Sequence, residues 1–378
     1  MRHAFEPVRC RISLLIPQAQ PAGLFTASTP TSLDPAASVD GKSVSFAEAL
    51  SRAANLLKAA RMPLIVAGAD FAGVNAALDL AEEVEAAFAV VNQDAVSCEF
   101  RAAEDYGCYQ TSRREAKARA DVVLAIGKTP AAQAQSLLGP GATLPSVQRA
   151  YAMLPSEGAG KGNDLKIELS LLAALAGPDV LPVLKTARFD SARATAAKLK
   201  SARFGVAVWS PGELDQLEVG ALMLLLDHLN IETRFSALPL RPGGNGWGAA
   251  QTCLARWGAV PPARWLAGRA SAAFPSAASF RVVPEGVDLI LSVSSFANSP
   301  PQLADPLIPV IAIGPGAAAS GTGKVAIDAG VTGADHAGLY YDEGRDAVIA
   351  VEATRAGGKI SAADIVLQLL SRVRGDAA

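Results

Sequence analysis

The side chains able to do chemistry in this 378-residue chain are few: four cysteines, three histidines and a scatter of amides. Cys98 and Cys108 flank an acidic segment, SCEFRAAEDYGC, and could serve as a thiolate metal ligand or a redox pair. No adjacent His or basic cluster is present to lower a thiol pKa, which favours two ordinary small buried residues. Cys10 and Cys253 complete the cysteines, and nothing in the chain has CxxC or HExxH spacing. His228 falls in the last turn of a long apolar helix, where the dipole favours a cation and a structural role. His336 follows Asp335 in a turn, GADHAG, and that lone pair carries little acid–base chemistry.

GGNGWGAAQTCLARWGA, residues 243–259, is the stretch best suited to a ligand. Its glycines let a backbone approach a bulky group closely. Asn245, Gly248 and Gln251 could then present amide groups to a polar heterocycle. The other reading is a glycine-rich crossover that packs against a neighbouring unit, and the residues alone leave both open. Phosphate loops fail on detail. In GPGAAASGTGK, Lys324 is followed by Val-Ala-Ile rather than Ser or Thr, which predicts a flexible connection. GAGKGN at 158–163 fails similarly, and PLIVAGADFAG lacks the GxGxxG of a dinucleotide site.

The elements that must position these groups follow from apolar patterning. Ser45 predicts a helix N-cap, with Glu48 completing a capping box. PLIVAG (63–68), FAVV (88–91), DVVLAIG (121–127), FGVAVW (204–209), TRFSAL, VDLILSV (287–293) and IPVIAIGPG (308–316) predict short buried strands. Leu214, Leu217, Ala221, Leu224 and Leu225 mark a long helix closing near Asn230, and Ser361 caps a final helix over 361–372. Continuously apolar strands alternating with helices imply parallel sheets covered on both faces. The fold expected is α/β, with two Rossmann-like, doubly wound halves. We expect an extended arm over 1–44, a first unit over 45–200 and a second over 201–378 that ends in strands, turns and the last helix.

Composition bounds the function. Hydrophobic residues make up 50% and charged residues 19%, with a net charge of −2. Such a chain can bury large cores, and its scattered Lys and Arg argue against nucleic acid. No apolar stretch reaches the length of a membrane helix or of a signal peptide's core, so a cytoplasmic protein is expected.

Asn245, Gly248, Ala249, Gln251 and Gly258 together resemble a motif of the B subunit of formylmethanofuran dehydrogenase, a molybdopterin/tungstopterin oxidoreductase family. VDGKSVSFAEALSRAANLLKAARMPLIVAG, ADVVLAIGKTP, IPVIAI and DHAGLYYDEGRDAVIAVEA are similar to further segments of that family in the same order, across roughly residues 39–375. The departures are informative. The family's redox subunit opens with a cysteine cluster for a [4Fe–4S] centre, where this chain has only Cys10. Cys98 falls near the family's metal-binding Cys or selenocysteine, yet Glu-Phe-Arg replaces the His-Gly-Pro that follows it. The stretch after Lys128-Thr129-Pro130 lacks the family's His- and Arg-rich run.

These losses make the chain similar to the degenerate beta subunit of the bacterial formyltransferase/hydrolase complex. That resemblance implies a complex in which a formyl group passes from a tetrahydromethanopterin carrier to a methanofuran-like carrier and is released as formate. Amidohydrolase-like, formyltransferase and gamma-type subunits would be its partners, with no nucleic acid or membrane. This chain would be a non-catalytic scaffold without iron–sulfur, molybdenum or tungsten. The loop holding Asn245, Gly248 and Gln251 would then be a vestigial pterin loop kept for packing, with Trp247, Trp257 and Trp265 closing the former cleft. Two alternatives remain: an active molybdenum or tungsten dehydrogenase using Cys98 as ligand, and an independent Rossmann-like nucleotide-binding protein.

Overall fold

Uninterrupted apolar runs build two parallel sheets, and the chain is arranged around them. A computed structural model describes residues 34–139, 149–155, 164–178, 185–274, 282–297, 307–321, 323–355 and 358–376. Its first stretch holds β1 (Ala37–Val39), β2 (Lys42–Val44), α1 (Phe46–Ala59), β3 (Pro63–Gly68), α2 (Phe71–Glu83), β4 (Ala87–Val90) and α3 (Gln93–Tyr106). Next come α4 (Arg113–Arg119), β5 (Val122–Ile126), α5 (Lys128–Leu138), β6 (Ala150–Leu154), α6 (Asp164–Ala176), α7 (Ala187–Lys200), β7 (Gly205–Trp209), α8 (Gln216–Leu229) and β8 (Phe235–Pro239). The last stretch holds α9 (Gly246–Trp257), β9 (Ala263–Leu266), β10 (Arg269–Ala272), β11 (Leu289–Ser294), β12 (Val310–Gly314), α10 (Ala317–Ser320), β13 (Val325–Asp328), β14 (Gly338–Asp342), β15 (Ala347–Val351) and α11 (Ala362–Arg374).

The large sheet has the order β10-β9-β4-β3-β11-β12-β13-β1-β2, with β4 through β13 parallel and antiparallel strands at both edges. Ile65 lies opposite both Leu291 and Phe88. These side chains join α1, α2, α9 and α11 in one core, while Leu64, Val66, Ala89 and Ile290 form a second cluster on the other face. The small sheet, β6-β5-β7-β8, is wholly parallel. Leu124, Ile126 and Trp209 pack under α6, α7 and α8, and Val123, Val206 and Val208 pack against α4 and α5. Helices on both faces are why β5 and β7 are apolar at every position. Buried Arg149 ties this unit together. It donates to the carbonyls of Ala116, Lys117 and Ala120 at the end of α4 and of Leu138 and Gly139 at the end of α5. A cation there satisfies carbonyls that lack helical partners and complements two helix dipoles.

Several expectations change. The sheets do not divide the chain at 200/201. β3 and β4 pair with β9 and β11, across the whole length of the intervening segment, and β5 to β8 form one sheet across that boundary. Any continuously apolar parallel strand can pair with any other, so strand order in sequence did not give sheet membership. Residues 1–33 of the expected arm lie outside the described residues. Residues 37–44 are not an arm: they form the β1–β2 hairpin at the sheet edge, turning through Asp40 and Gly41 at φ of 50° and 73°. The Ser45 and Ser361 caps lie where expected, each accepting from the backbone N–H three residues on.

Candidate functional site

The chain following β4, β5, β7 and β8 converges on a cleft of about 740 Å³. In open parallel sheets this is the end where ligands bind. Asn92, Gln93 and Asp94 line it from the start of α3, Thr129 and Gln133 from α5, Ser210 and Glu213 from the turn after β7, and Arg241 from beyond β8. Arg113, also a lining residue, has a buried Nε without a partner among the described residues.

The helix-start anion seat of α5 in this cleft is already filled by the chain itself. Gly127, at φ 96°, ends β5 and opens α5 without a side-chain cap of its own. Glu213 supplies one. Its Oε2 accepts from the Lys128 N–H at 2.7 Å and its Oε1 from the Thr129 N–H at 3.0 Å. Those are the donors a ligand phosphate or carboxylate would need at a helix start.

Behind the cleft lies a buried ionic knot. Arg241 donates through Nε and Nη2 to both oxygens of Glu99, and Nη2 also reaches Gln110 Oε1 at 3.1 Å. Its Nη1 donates to the Tyr341 hydroxyl at 3.1 Å and to Asp346 at 3.3 Å, and Tyr341 donates to Asp346. Burial opposes the guanidinium charge, but Glu99, Tyr341 and Asp346 outweigh it and hold Arg241 protonated above its ordinary range. The same burial pushes the Glu99 carboxyl up, against the pull of Arg241. The guanidinium also sits 4.2 Å over the Trp247 ring, which stacks on Phe100 at 4.3 Å. Residues from α3, α9, β14 and the segment after β8 are therefore locked together, leaving no room for a ligand among them.

Residues 246–257, expected as a loop, are helix α9. Their glycines serve close packing: a Cβ on Gly246 would overlap the Val91 carbonyl oxygen, and one on Gly248 would overlap Asn245 and Tyr341. Asn245 is 2% exposed and adopts the left-handed conformation at φ 60°. Its Nδ2 donates to Ala69 O at 2.5 Å and its Oδ1 accepts from the Tyr341 N–H at 3.1 Å. Asn245 and Gly248 thus meet each other and β14, whereas Gln251 stands half-buried further along α9. None of the three is among the residues lining the cleft. Trp257 packs edge-on against Phe88, lies 5.7 Å from Trp265, and donates through Nε1 to Glu82 at 2.8 Å.

Cys98, the thiol that the resemblance offers to a pterin-bound metal, does not face the cleft. Cys98 sits on α3 away from the cleft lining, its Sγ 3.5 Å from the Leu214 carbonyl. Burial, with Asp215 and Glu99 nearby, pushes its thiol up to about 11. Cys253 is buried in α9 and pushed up to about 12 for the same reason. Cys98, Cys108 and Cys253 are thiols rather than halves of a disulfide, and Cys10 lies outside the described residues. Among the described residues no three His, Cys, Asp or Glu side chains converge as a metal site.

His228 and His336 each bond a backbone carbonyl through Nδ1, and His3 lies outside the described residues. His228 Nδ1 lies 2.6 Å from the Ala173 carbonyl, bridging α8 to α6. His336 Nδ1 lies 3.0 Å from the Ala337 carbonyl, while Asp335 turns instead to Arg355 and the Val331 N–H. In the other glycine run, Ala317–Ser320 forms the short α10, and Lys324 pairs with Asp40 at 2.8 Å. Residues 158–163 lie outside the described residues. Glu213, Glu99 and Arg241 carry the geometry of this region, and no motif singled them out. The available hint was a carboxylate directly after a strand-ending Ser-Pro-Gly turn.

No family model matches the chain. It is similar to the B subunit of the formyltransferase/hydrolase complex Fhc of Methylorubrum extorquens, at 30% identity over 361 residues, covering 90% of this chain and 97% of that protein. Among solved structures it is similar to a chain of the formyltransferase/hydrolase complex (FhcABCD) from Methylorubrum extorquens in complex with methylofuran. That match has a TM-score of 0.76 at 27% identity and covers 90% of this chain and 99% of the other.

Proposed function

The chain belongs to the family of formyltransferase/hydrolase complex B subunits, and from that premise we propose that it is the complex's non-catalytic structural component. The complex would move a formyl group from a tetrahydromethanopterin carrier to a methanofuran-like carrier and release formate. Both reactions would fall to sister subunits, an amidohydrolase-like hydrolase and a formyltransferase, assembled with a gamma-type subunit. No electrons move in that sequence, so this chain needs neither a pterin metal nor an iron–sulfur cluster. The two sheets would form Rossmann-like, doubly wound units, the small one inserted into the large one between α3 and α9. We place the complex in the cytoplasm; no helix among the described residues is long and apolar enough to cross a membrane.

The observation that carries this reading is Glu213. A cleft in which the α5 N-terminus is capped by the chain's own carboxylate offers a phosphate-bearing cofactor fewer anchoring donors. Asn245 and Cys98, both engaged within the chain, support it. The test is to purify the native complex, dissociate it, and measure metals in this chain. Stoichiometric molybdenum, tungsten or cluster iron would overturn the proposal, as would formyl-carrier oxidation by the isolated chain.

A further inference from the structure

Helix α8 is apolar on two opposite sides. Val219, Leu222, Met223, Leu225, Leu226 and Leu229 are buried against the small sheet. Facing away, Leu217 is 59% exposed and Leu224 45%, and Ile231, just past the C-cap Asn230, is 64% exposed. Leu217 and Leu224 are seven residues apart, the spacing of one helical seam, and Ile231 follows in the turn after the helix. Both neighbouring helices extend the surface. Tyr106, at the end of α3, is 52% exposed with its ring close against Gly220, and Ile167 on α6 is 49% exposed. Single exposed apolar residues are ordinary; four on three adjacent helices, with Ile231 beside them, form a patch of the kind that marks interaction sites. A helix with apolar residues on two opposite sides has a second side left to cover.

The rim of this patch is acidic. Asp105 precedes Tyr106, Asp215 and Glu218 lie at the start of α8, Asp227 lies near its end, and Glu232 follows Ile231. Lys200 pairs with Glu232 at 3.4 Å, Lys166 lies beside Glu218 and Arg101 lies one turn before Asp105, which leaves five carboxylates against three cations. We propose that the α3–α8–α6 face docks an amphipathic helix from another subunit of the complex, with an apolar stripe flanked by Lys or Arg. Opposite charge around an apolar seam would set register and partner choice. This rests on the chain belonging to a multi-subunit complex, and is independent of whether the chain is catalytic.

The test titrates the purified chain against the remaining subunits of its complex. Leu217→Glu combined with Leu224→Glu should weaken association at least tenfold while leaving the melting temperature of the isolated chain within about 2 °C, since surface changes seldom alter stability. Asp105→Lys combined with Glu232→Lys should also weaken it, and raised salt should weaken the wild type. Leu367→Glu, on the 45%-exposed position of α11, should associate normally. Normal association by the Leu217/Leu224 variant overturns the surface and leaves the complex reading standing. So does a large fall in its melting temperature, which would mean the chain covers this face itself, or loss of self-association alone, which would mean a second copy does. A wild-type chain that binds no subunit overturns both.

Discussion

Arg241 holds Glu99 through two nitrogens, Nε to Oε2 at 2.9 Å and Nη2 to Oε1 at 2.6 Å, with side chains only 5% and 4% exposed. The two residues come from opposite ends of the inserted unit, so this pair fastens it back onto the large sheet's region. Removing one partner strands a buried charge. Glu99→Ala should therefore cost roughly 3–5 kcal/mol of stability in denaturant unfolding. The double variant Glu99→Ala, Arg241→Ala should be less destabilised than the sum of the singles, with a coupling of about 1–3 kcal/mol. Simple additivity would show that the pair is not a unit.

Trp247 lies over that guanidinium and against Phe100, 8% exposed. Trp247→Ala should cost roughly 3–5 kcal/mol and weaken assembly rather than abolish one chemical step. Trp257→Ala, which also removes one hydrogen bond to Glu82, should fall in the same range. Either variant assembling at normal thermal stability, yet losing formyl transfer or hydrolysis, would make this helix functional and defeat the packing reading.

What the sequence shows well is what local chemistry dictates. PLIVAG and DVVLAIG could only be buried strands, and Ser45, Asn230 and Ser361 bound their helices because caps and apolar periodicity are short-range. Sheet membership was not legible: β3 pairs with β11, more than two hundred residues away, and nothing in either strand names its partner. Helix α9 was hidden for a different reason. Gly246 and Gly248 suggested a ligand loop, but they are glycine because Val91, Asn245 and Tyr341 stand where a Cβ would go. The resemblance carried the family, whereas the Glu99–Arg241 knot and the Glu213 cap exist only once distant segments meet.

Cys98 should behave as a thiol partly shielded from solvent. Its pKa rises from 9.0 to about 11 on folding. The folded chain therefore keeps the proton longer than the unfolded one, and the stability this brings is present below pH 9 and lost as pH rises toward 11. Alkylation of Cys98 at pH 8 should run about a hundredfold slower than in the denatured chain, with its rate climbing through pH 11. Cys98→Ser should leave formate production by the assembled complex within about twofold. A hundredfold loss with the complex intact would make Cys98 a working ligand or nucleophile.

Glu213 gives the sharpest test of the cleft. Glu213→Ala removes the cap on α5 and should cost about 1 kcal/mol, as N-cap losses do. It should also free the Lys128 and Thr129 N–H groups at the mouth of a 740 Å³ cleft. Inorganic phosphate at fixed ionic strength should then raise the melting temperature of the variant, because a ligand that binds only the folded state stabilises it. The wild type should show no such rise, its seat being held by its own carboxylate. Glu213→Gln, which keeps the shape without the charge, should fall between them. Formate production by the complex should be unaffected in both variants. Equal phosphate responses in wild type and Glu213→Ala would mean that Glu213 blocks nothing, and the cleft would have to be treated as an open anion site.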